Sequence, residues 1–357
     1  MIDLEPIQAC ALNPIDAAVR SAGKLAAVIG AAPSRYSKSP ALWNAAFQAL
    51  RMNAVYIALD LDETRLAGLM AAARRSHDVL GFNVTVPHKV AVVKHLDALD
   101  ESARRIGAVN TIVRMPSGEL VGANTDGAGF IETLLTAGPG AASPLLRSLD
   151  GIDTLMLGAG GSARAVAFAL AEKLGEGKLL IANRSHENAR ALARDLAKYH
   201  RQASAIREDE IAAAAPRAKL IVNCTTKGQG GMDPGGRSLE AYSALAPAAP
   251  TSPGKAGGTI EKNHSISLDI ARSVPADAVF YDLIYHPEET VFLRHARQTG
   301  HRAVNGRGMI VAQAVEAFFN HVCRRELEAA RRHTPETRRR LSEIMNAAWT
   351  EPTNPKL

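Results

Sequence analysis

Leu155-Met-Leu-Gly158-Ala-Gly160-Gly161-Ser162-Ala163 is the stretch that decides the fold. An apolar run leads into a glycine turn, and an alanine-rich segment follows. The spacing is G-x-G-x-x-A, and each small residue has a physical task. Gly158 permits the tight turn, Gly160 lets the backbone approach a pyrophosphate, and Ala163 lets the helix lie close on the strand. The N-terminus of the helix that follows then presents free N–H groups and a favourable dipole to an anion. A tight turn with no ligand is the competing reading. The apolar strand before the loop and the alanine-rich helix after it favour a nucleotide loop.

Outward from this loop, strands near 153–157, 178–182, 219–223, 278–283 and 302–304 are separated by helices at 162–174, 187–199 and 289–299. That alternation predicts a parallel, doubly wound sheet. The second strand ends in Ile181-Ala-Asn183-Arg184-Ser185. An NAD site usually places a carboxylate there to hold both ribose hydroxyls. A guanidinium instead attracts a 2′-phosphate and stacks on adenine, so Arg184 favours NADP over NAD. Asn183 and Ser185 have a plainer role open to them as caps of the next helix. The stretch 228–275 is long for one connection, and its centre, Ala246 to Gly258, is rich in Pro, Gly and Ala; it is expected to be mobile.

Upstream lies a second α/β unit. A strand at Leu25–Gly30 enters a loop rich in Pro and Ser, and Pro40 opens a helix with Leu42, Ala45, Ala46 and Ala49 at helical spacing. Strands near 54–59, 79–86, 108–113 and 120–123 alternate with helices near 62–74, 89–105 and 126–137, with a hairpin turn at Pro116-Ser117-Gly118. Residues 1–22 read as a loosely attached extension. A final helix is expected over 307–331 and a short basic one over 336–348.

Within this unit, Asn83-Val-Thr85-Val-Pro87-His-Lys89 reads as a strand that stops at proline and delivers a lysine beyond it. Asn83 and Thr85 share a strand face. Amide, hydroxyl and ammonium at one strand end suit a small polyhydroxylated substrate; an exposed strand end with a solvated lysine is the alternative. Asn124-Thr-Asp126-Gly precedes a helix, where Asp126 alone would be read as an N-cap. Together with a nicotinamide site the two residues acquire another meaning. Carbonyl reduction needs a hydride and a proton for the developing alkoxide, and a lysine beside a carboxylate can supply that proton.

Composition sets limits. The chain has 357 residues, enough for one or two sizeable cores, and 46% are hydrophobic. No run reaches the apolar length of a membrane span, and the N-terminus is not a secretory signal. Cys10, Cys224 and Cys323 make neither a disulfide framework nor a zinc spacing, so no metal is expected and a reducing, cytoplasmic setting is the default. The net charge of +6 is concentrated near Arg324–Arg340, and aromatics are only 4%, so no nucleic-acid partner is expected. A basic chain suits anionic small molecules.

Taken together, the blocks resemble the shikimate dehydrogenase family over roughly residues 24–230 and 278–320. They are Ser37-Lys-Ser39-Pro40, Asn83 to Lys89, Gly107-Ala-Val-Asn110-Thr111, Asn124-Thr-Asp126-Gly, the glycine loop, Asn183-Arg184, Asn223-Cys-Thr225, Asp282-Leu-Ile-Tyr285, and Asn305-Gly306 with Met309 and Gln313. The resemblance implies an N-terminal α/β substrate domain joined to an NAD(P)-binding Rossmann domain. It implies reversible, NADPH-dependent reduction of 3-dehydroshikimate to shikimate. It makes Lys89 and Asp126 catalytic. Ser37, Ser39 and Tyr285 would hold the substrate carboxylate, and Thr85, Asn110 and Gln313 the ring hydroxyls. Cofactor contacts would come from Gly158, Gly160, Gly161, Ser162, Ala163, Asn183, Arg184, Ser185, Thr225, Gly306 and Met309. The expected division is an extension over 1–23, a substrate domain over 24–137 plus 305–331, a cofactor domain over 138–304 with an insertion at 232–275, and a basic tail over 332–357. The chain departs from the pattern at Tyr36, where the family often has His, and at Asn188, where many NADP-using members carry a second arginine; Arg190 is the available substitute. The alternatives are a quinate/shikimate dehydrogenase using NAD or NADP, and a non-catalytic ligand-binding homologue. A folate-type methylene dehydrogenase fits the paired serines and the Asn-Thr-Asp block poorly. Monomer and homodimer both remain open.

Overall fold

The computed structural model describes residues 1–138, 141–231, 238–247 and 256–349, with positions 256–257 described in the backbone only. The expected linker at 139–140, the insertion at 232–237 and 248–255, and the tail at 350–357 lie outside the described residues. The chain divides into two compact units, Met1–Gly129 with Ile310–Leu357, and Phe130–Met309. The divisions fall before the sequence-based boundary near 138 and after the one near 305. The first of them lies within a single continuous helix, Asp126–Leu135, directly after Gly129.

The first unit is built on a mixed sheet of β1 (Lys24–Gly30), β2 (Ala54–Asp60), β3 (Val79–Val84), β4 (Ala98–Leu99), β5 (Thr111–Arg114) and β6 (Leu120–Ala123), in the order β2-β1-β3-β5-β6-β4. β1 runs parallel to β2 and β3, while β5 is antiparallel to both β3 and β6. Strand β3 ends at Val84, two residues sooner than the sequence suggested. The helix expected over 89–105 is instead a 3₁₀ turn at Ala91–His95, the short β4, and a helix at Glu101–Ile106 capped by the Asp100 side chain. The helix Ser39–Ala49 buries Leu42, Trp43, Ala46 and Phe47. Its inward stripe is therefore set by the two large aromatics rather than by Ala45 and Ala49.

Residues 1–22 are not loosely attached. Ile2, Leu4, Ile7 and Val19 lie in the same buried cluster as Leu25, Ile29 and Phe82. Asn13 bonds the edge of β2 in both directions, to the Ala58 carbonyl at 3.0 Å and from the Asp60 N–H at 2.7 Å. The final helix is interrupted: an α-helical segment at Arg307–Glu316 passes through a π-helical stretch at Ala317–Val322 before Arg324–Ala329. The basic helix Pro335–Ala348 buries Leu341 and Met345 and packs on Ser39–Ala49.

The second unit carries six parallel strands, β7 (Thr154–Leu157), β8 (Leu179–Ala182), β9 (Ala203–Ile206), β10 (Leu220–Asn223), β11 (Val279–Asp282) and β12 (Arg302–Val304). Their order is β12-β11-β10-β7-β8-β9. Chain order therefore reverses between β7 and β10, the crevice where doubly wound sheets bind ligands. The sequence pattern shows only five of these strands. The extra one, β9, is an edge strand of sequence ASAI with half of its residues alanine, which carries little strand signal. The insertion contains an 18-residue helix, Ala256–Ser273. Among the described residues no helix is long and apolar enough to cross a membrane.

Candidate active site

Strand β3 is an interior strand with one polar residue, the buried Asn83. Val84, the last strand residue, is buried, and the turn beyond it brings Lys89 alongside the N-terminus of the helix Asp126–Leu135. Lys89 is anchored by its own carbonyl, which accepts the Val109 N–H at 2.8 Å. Its Nζ lies 2.5 Å from Asp126 Oδ2, with side-chain exposures of 14% and 7%. The other carboxylate oxygen of Asp126 accepts the Asn110 amide at 2.8 Å. Thus one carboxylate is held by two donors of different charge, and the ammonium keeps two N–H bonds for other use.

Asn110 is the junction of this cluster. Its amide nitrogen also lies 3.0 Å from Thr125 Oγ1 and 3.3 Å from Gln313 Oε1, and its Oδ1 accepts the Thr125 N–H at 2.8 Å. Gln313 comes from the returning helix Arg307–Glu316 and donates its own amide to the Ile310 carbonyl at 2.9 Å. The return is close: a Cβ on Gly129 would stand 2.6 Å from the Gln313 backbone nitrogen, so only glycine fits. Ser37 and Ser39 are both buried at the start of the helix Ser39–Ala49, and the Ser39 N–H donates to Ser37 Oγ at 3.2 Å. Thr85 is half-buried, and the nearby Tyr36 hydroxyl has its pKa raised chiefly by burial.

The structure therefore brings Lys89, Asp126, Asn110 and Gln313 into one bonded cluster and sets Ser37 beside Ser39. Tyr285 belongs to the second unit, half-buried after β11. Sequence reasoning missed Tyr56 as a polar partner; it looks like an ordinary strand residue, and nothing in the local pattern marks it. Thr111 and Thr125 sit inside the quoted blocks without an assigned role, and Asn83, read as one polar group of a strand end, is buried and bonded to Tyr56, Thr111 and the Asn110 carbonyl.

In the second unit the glycine loop follows β7. Gly158 has φ +113°, and a Cβ there would lie 3.0 Å from the Cys224 backbone, so this position requires glycine. Gly160 and Gly161 differ: a Cβ on either would meet nothing within 4 Å. That open space faces the start of the helix Gly161–Ala171, whose N-cap Gly160 offers no capping side chain. Ala163 is fully buried against the sheet, and Ser162 is half-buried. A glycine cradle, uncapped N–H groups and a helix dipole together fit a dinucleotide pyrophosphate.

Beyond β8, Asn183 Nδ2 donates to the Ser185 carbonyl at 2.9 Å, and Ser185 caps the helix His186–Leu196. Ser185 thus takes the capping role, while Asn183 braces the loop that leads into it. Arg184 and Arg190 are exposed beside them, whereas Arg164 is paired with Asp195 at 2.9 Å. Thr225 follows β10 and is fixed by Asn223, whose Oδ1 accepts its N–H at 2.9 Å and its hydroxyl at 2.7 Å. Asn223 donates in turn to Asp282 at 2.9 Å. Asp282 is fully buried and also accepts the Thr290 hydroxyl at 2.6 Å and the Ile284 N–H at 3.0 Å. Burial pushes its carboxyl up to about 7, and the three donors only partly offset that. Gly306 is required for packing, because a Cβ would stand 2.0 Å from the Leu283 carbonyl oxygen; Met309 is buried.

Two sequence models match the chain: the shikimate dehydrogenase substrate binding domain over residues 28–112, and shikimate / quinate 5-dehydrogenase over 141–230. A shikimate dehydrogenase (NADP(+)) of Symbiobacterium thermophilum is 38% identical over 303 residues, covering 84% of this chain and 89% of the relative. Among solved structures, shikimate 5-dehydrogenase of Thermus thermophilus in complex with NADP(H) and shikimate is 30% identical, with a TM-score of 0.64 over 91% of this chain and 99% of that one. Quinate dehydrogenase of Corynebacterium glutamicum in complex with NAD is 26% identical, with a TM-score of 0.64 over the same shares.

Proposed function

The chain belongs to the shikimate dehydrogenase family, and we propose that within it the Lys89–Asp126 pair carries the proton step of the reversible, NADPH-dependent reduction of 3-dehydroshikimate to shikimate. The observation that carries this assignment is the 2.5 Å contact between Lys89 Nζ and Asp126 Oδ2 inside an otherwise satisfied polar cluster. When bound, the reduced nicotinamide supplies a hydride to the substrate carbonyl carbon.

Lys89 then has two tasks. Its ammonium stabilises the developing alkoxide and donates one proton to that oxygen. Asp126 orients the ammonium through one carboxylate oxygen, and Asn110 keeps the carboxylate from rotating by holding the other. In the oxidative direction Lys89 takes the hydroxyl proton back. Ser37, Ser39 and Tyr285 supply hydroxyls for the substrate carboxylate. Thr85, Asn110 and Gln313 bind ring hydroxyls. The hydrogen bond already linking Asn110 to Gln313 holds both amides in place before substrate arrives.

Gly158, Gly160, Gly161, Ser162 and Ala163 form the pyrophosphate cradle. Thr225, Gly306 and Met309 serve the nicotinamide end, where Gly306 and Met309 act by shaping the wall. Arg184 takes the 2′-phosphate, with Arg190 as the second cation because Asn188 is neutral. Asn183 and Ser185 act through the backbone of the loop, which Asn183 braces and Ser185 ends as the helix cap. The enzyme works in the cytoplasm on a small molecule, as a monomer or homodimer. Quinate with NAD is the second reading, favoured by the likeness to a quinate dehydrogenase solved with NAD.

Purified protein mixed with shikimate or quinate and NADP⁺ or NAD⁺ should produce reduced nicotinamide absorbance, most rapidly with shikimate and NADP⁺. Silence with all four pairs would remove the dehydrogenase assignment, and faster turnover of quinate would replace the substrate.

A further inference from the structure

The end of β2 carries anchors for two turns of the site. β2 is an edge strand, so only one side of it is paired within the sheet. On that side Asp60 stands opposite Gly30 of β1, and the Leu61 N–H donates to the Gly30 carbonyl at 2.7 Å. On the open side the N-terminal segment takes the place of a further strand. The Leu12 N–H donates to the Asp60 carbonyl at 2.8 Å, and Asn13 Oδ1 accepts the Asp60 N–H at 2.7 Å. The main chain at Asp60 and Leu61 is therefore held from both sides.

The Asp60 carboxylate grips the turn that leads to the serine pair. Its Oδ1 accepts the Ser34 N–H at 3.0 Å, and its Oδ2 accepts the Ser34 hydroxyl at 2.6 Å. Ser34 lies in the single helical turn Pro33–Tyr36, which closes where the Ser37 N–H donates to the Pro33 carbonyl at 2.9 Å. Ser37 Oγ then receives the Ser39 N–H. The next residue, Leu61, does the same for the turn that carries Lys89. Its carbonyl lies 2.8 Å from His88 Nε2 and can only accept, so an imidazole proton stands on Nε2. His88 Nδ1 is buried with no partner among the described residues, so the ring is tied by its Nε2 edge alone. Between Val86 and Val90, His88 is the one buried side chain, 2% exposed against 63% for Val86 and 56% for Val90.

We propose that Asp60 and His88 are positioning residues for the reduction, two separate anchors on one strand end. Asp60 holds the Ser37–Ser39 turn in the arrangement that receives the substrate carboxylate. His88 holds the main chain from which the Lys89 side chain reaches Asp126. The proposal rests on the reading of the serines as carboxylate ligands and of Lys89 as the proton donor. Each anchor acts through the main chain of other residues, and neither meets substrate. A lysine stem is flexible, so the place of its ammonium depends on where the main chain starts it. Displacing a reacting group by about 1 Å can cost about a hundredfold in rate, whereas a loosened binding turn weakens binding without altering the chemical step. The two anchors therefore govern different kinetic constants.

The experiment reads initial rates with shikimate and NADP⁺ for a pair of variants at each anchor. Asp60→Ala removes both acceptors of Ser34 and should raise the KM for shikimate about tenfold with kcat within about threefold. Asp60→Asn still offers an acceptor to the Ser34 N–H and should bring KM back to within about threefold of wild type. His88→Asn withdraws the Nε2 donor and should lower kcat about tenfold with KM within about threefold. His88→Gln carries an amide N–H of similar reach and should restore kcat. A merely structural loss would move kcat and KM alike at both anchors and would not be undone by the conservative variant. That pattern, a wild-type KM in Asp60→Ala or a wild-type kcat in His88→Asn would overturn the anchors while an active wild type keeps the functional reading. A wild type inactive on every substrate pair overturns both. Should Asp60→Ala or His88→Asn fail to fold, Ser34→Ala and His88→Phe take their places. The first loses the hydroxyl that Asp60 holds, the second keeps a ring without its donor, and an unmoved constant in either is equally fatal.

Discussion

Lys89 and Asp126 are 37 residues apart in sequence and 2.5 Å apart in space, an ion pair shielded to 14% and 7% exposure. Among the described residues most ion pairs are far more exposed; Arg194–Glu187, for example, stands at 69% on both sides. Among those residues Asp126 is the one side-chain acceptor of the Lys89 ammonium, which leaves protons for a further partner.

Replacing Lys89 by Ala should therefore abolish turnover while shikimate still binds. General-acid catalysis is worth about 10²- to 10⁴-fold, so kcat should fall by at least two orders of magnitude. Initial rates alongside calorimetric titration of shikimate separate the two effects. Near-normal turnover would reduce Lys89 to a positioning role.

The phosphate assignment predicts a change of preference. Arg184→Ala removes a charge-assisted contact worth about 1.5–3 kcal/mol, so kcat/KM with NADP⁺ should drop about ten- to hundredfold while that with NAD⁺ holds. Arg190→Ala should do the same to a smaller degree. An unchanged NADP⁺/NAD⁺ ratio in both variants would place the phosphate elsewhere.

Gly160 and Gly158 should respond in opposite ways to added volume. Gly160 has an ordinary extended backbone and open space around its Cβ position. Gly160→Val should leave the melting temperature close to wild type and weaken NADP⁺ binding at least about tenfold, by filling the cradle. Gly158→Val, at φ +113° and against the Cys224 backbone, should lose stability first. Fluorescence titration of NADPH beside thermal melts reads both.

Asp282 gives the stability a pH dependence whose sign is fixed. Its carboxyl rises from 3.8 to about 7 in the folded protein, so between those values the folded state holds a proton that the unfolded chain has released. Its contribution is full below about pH 4 and is lost as the pH climbs through 7. Urea midpoints of the wild type should fall between about pH 5 and pH 8, by a free energy on the order of 1–4 kcal/mol. Asp282→Asn should flatten that slope, and an equal slope in both proteins would refute the assignment.

The N-terminal segment makes a last prediction. Ile7 is 1% exposed and belongs to the main cluster of the first unit. Ile7→Ala should cost about 2–5 kcal/mol, read as a shift in the denaturant midpoint. A shift below about 0.5 kcal/mol would mean that the segment detaches at little cost.

Legibility in the sequence followed chemistry more than propensity. The glycine loop was readable because Gly158, Gly160 and Ala163 each answer a separate steric demand. The pairing of Lys89 with Asp126 was anticipated not from either residue alone but because carbonyl reduction beside a nicotinamide calls for a proton source. The parallel order of the second sheet followed from alternation. Strand β9 was not readable, since alanine and serine carry little strand preference. The helix Ala256–Ser273 was hidden by the Pro/Gly-rich run before it. The first 22 residues were misleading because Ile2, Leu4, Ile7 and Val19 show no regular period, and their burial depends on a surface supplied by distant strands. Tyr56 was invisible for a related reason: its hydroxyl meets Asn83 only once β2 and β3 stand in one sheet.

The first unit draws on both ends of the chain, Met1–Gly129 and Ile310–Leu357, whereas the second is one unbroken segment. This imposes an order on biosynthesis. As the chain leaves the ribosome, the cofactor-binding half has all its residues before the helix bearing Gln313 has been made, and domains fold as units once their residues are present. The first unit must hold an unfinished core, with Asn110 lacking its contact to Gln313, until the last helices arrive. In chain order, therefore, the polar cluster around Asp126 is completed only after every residue of the second unit has been made.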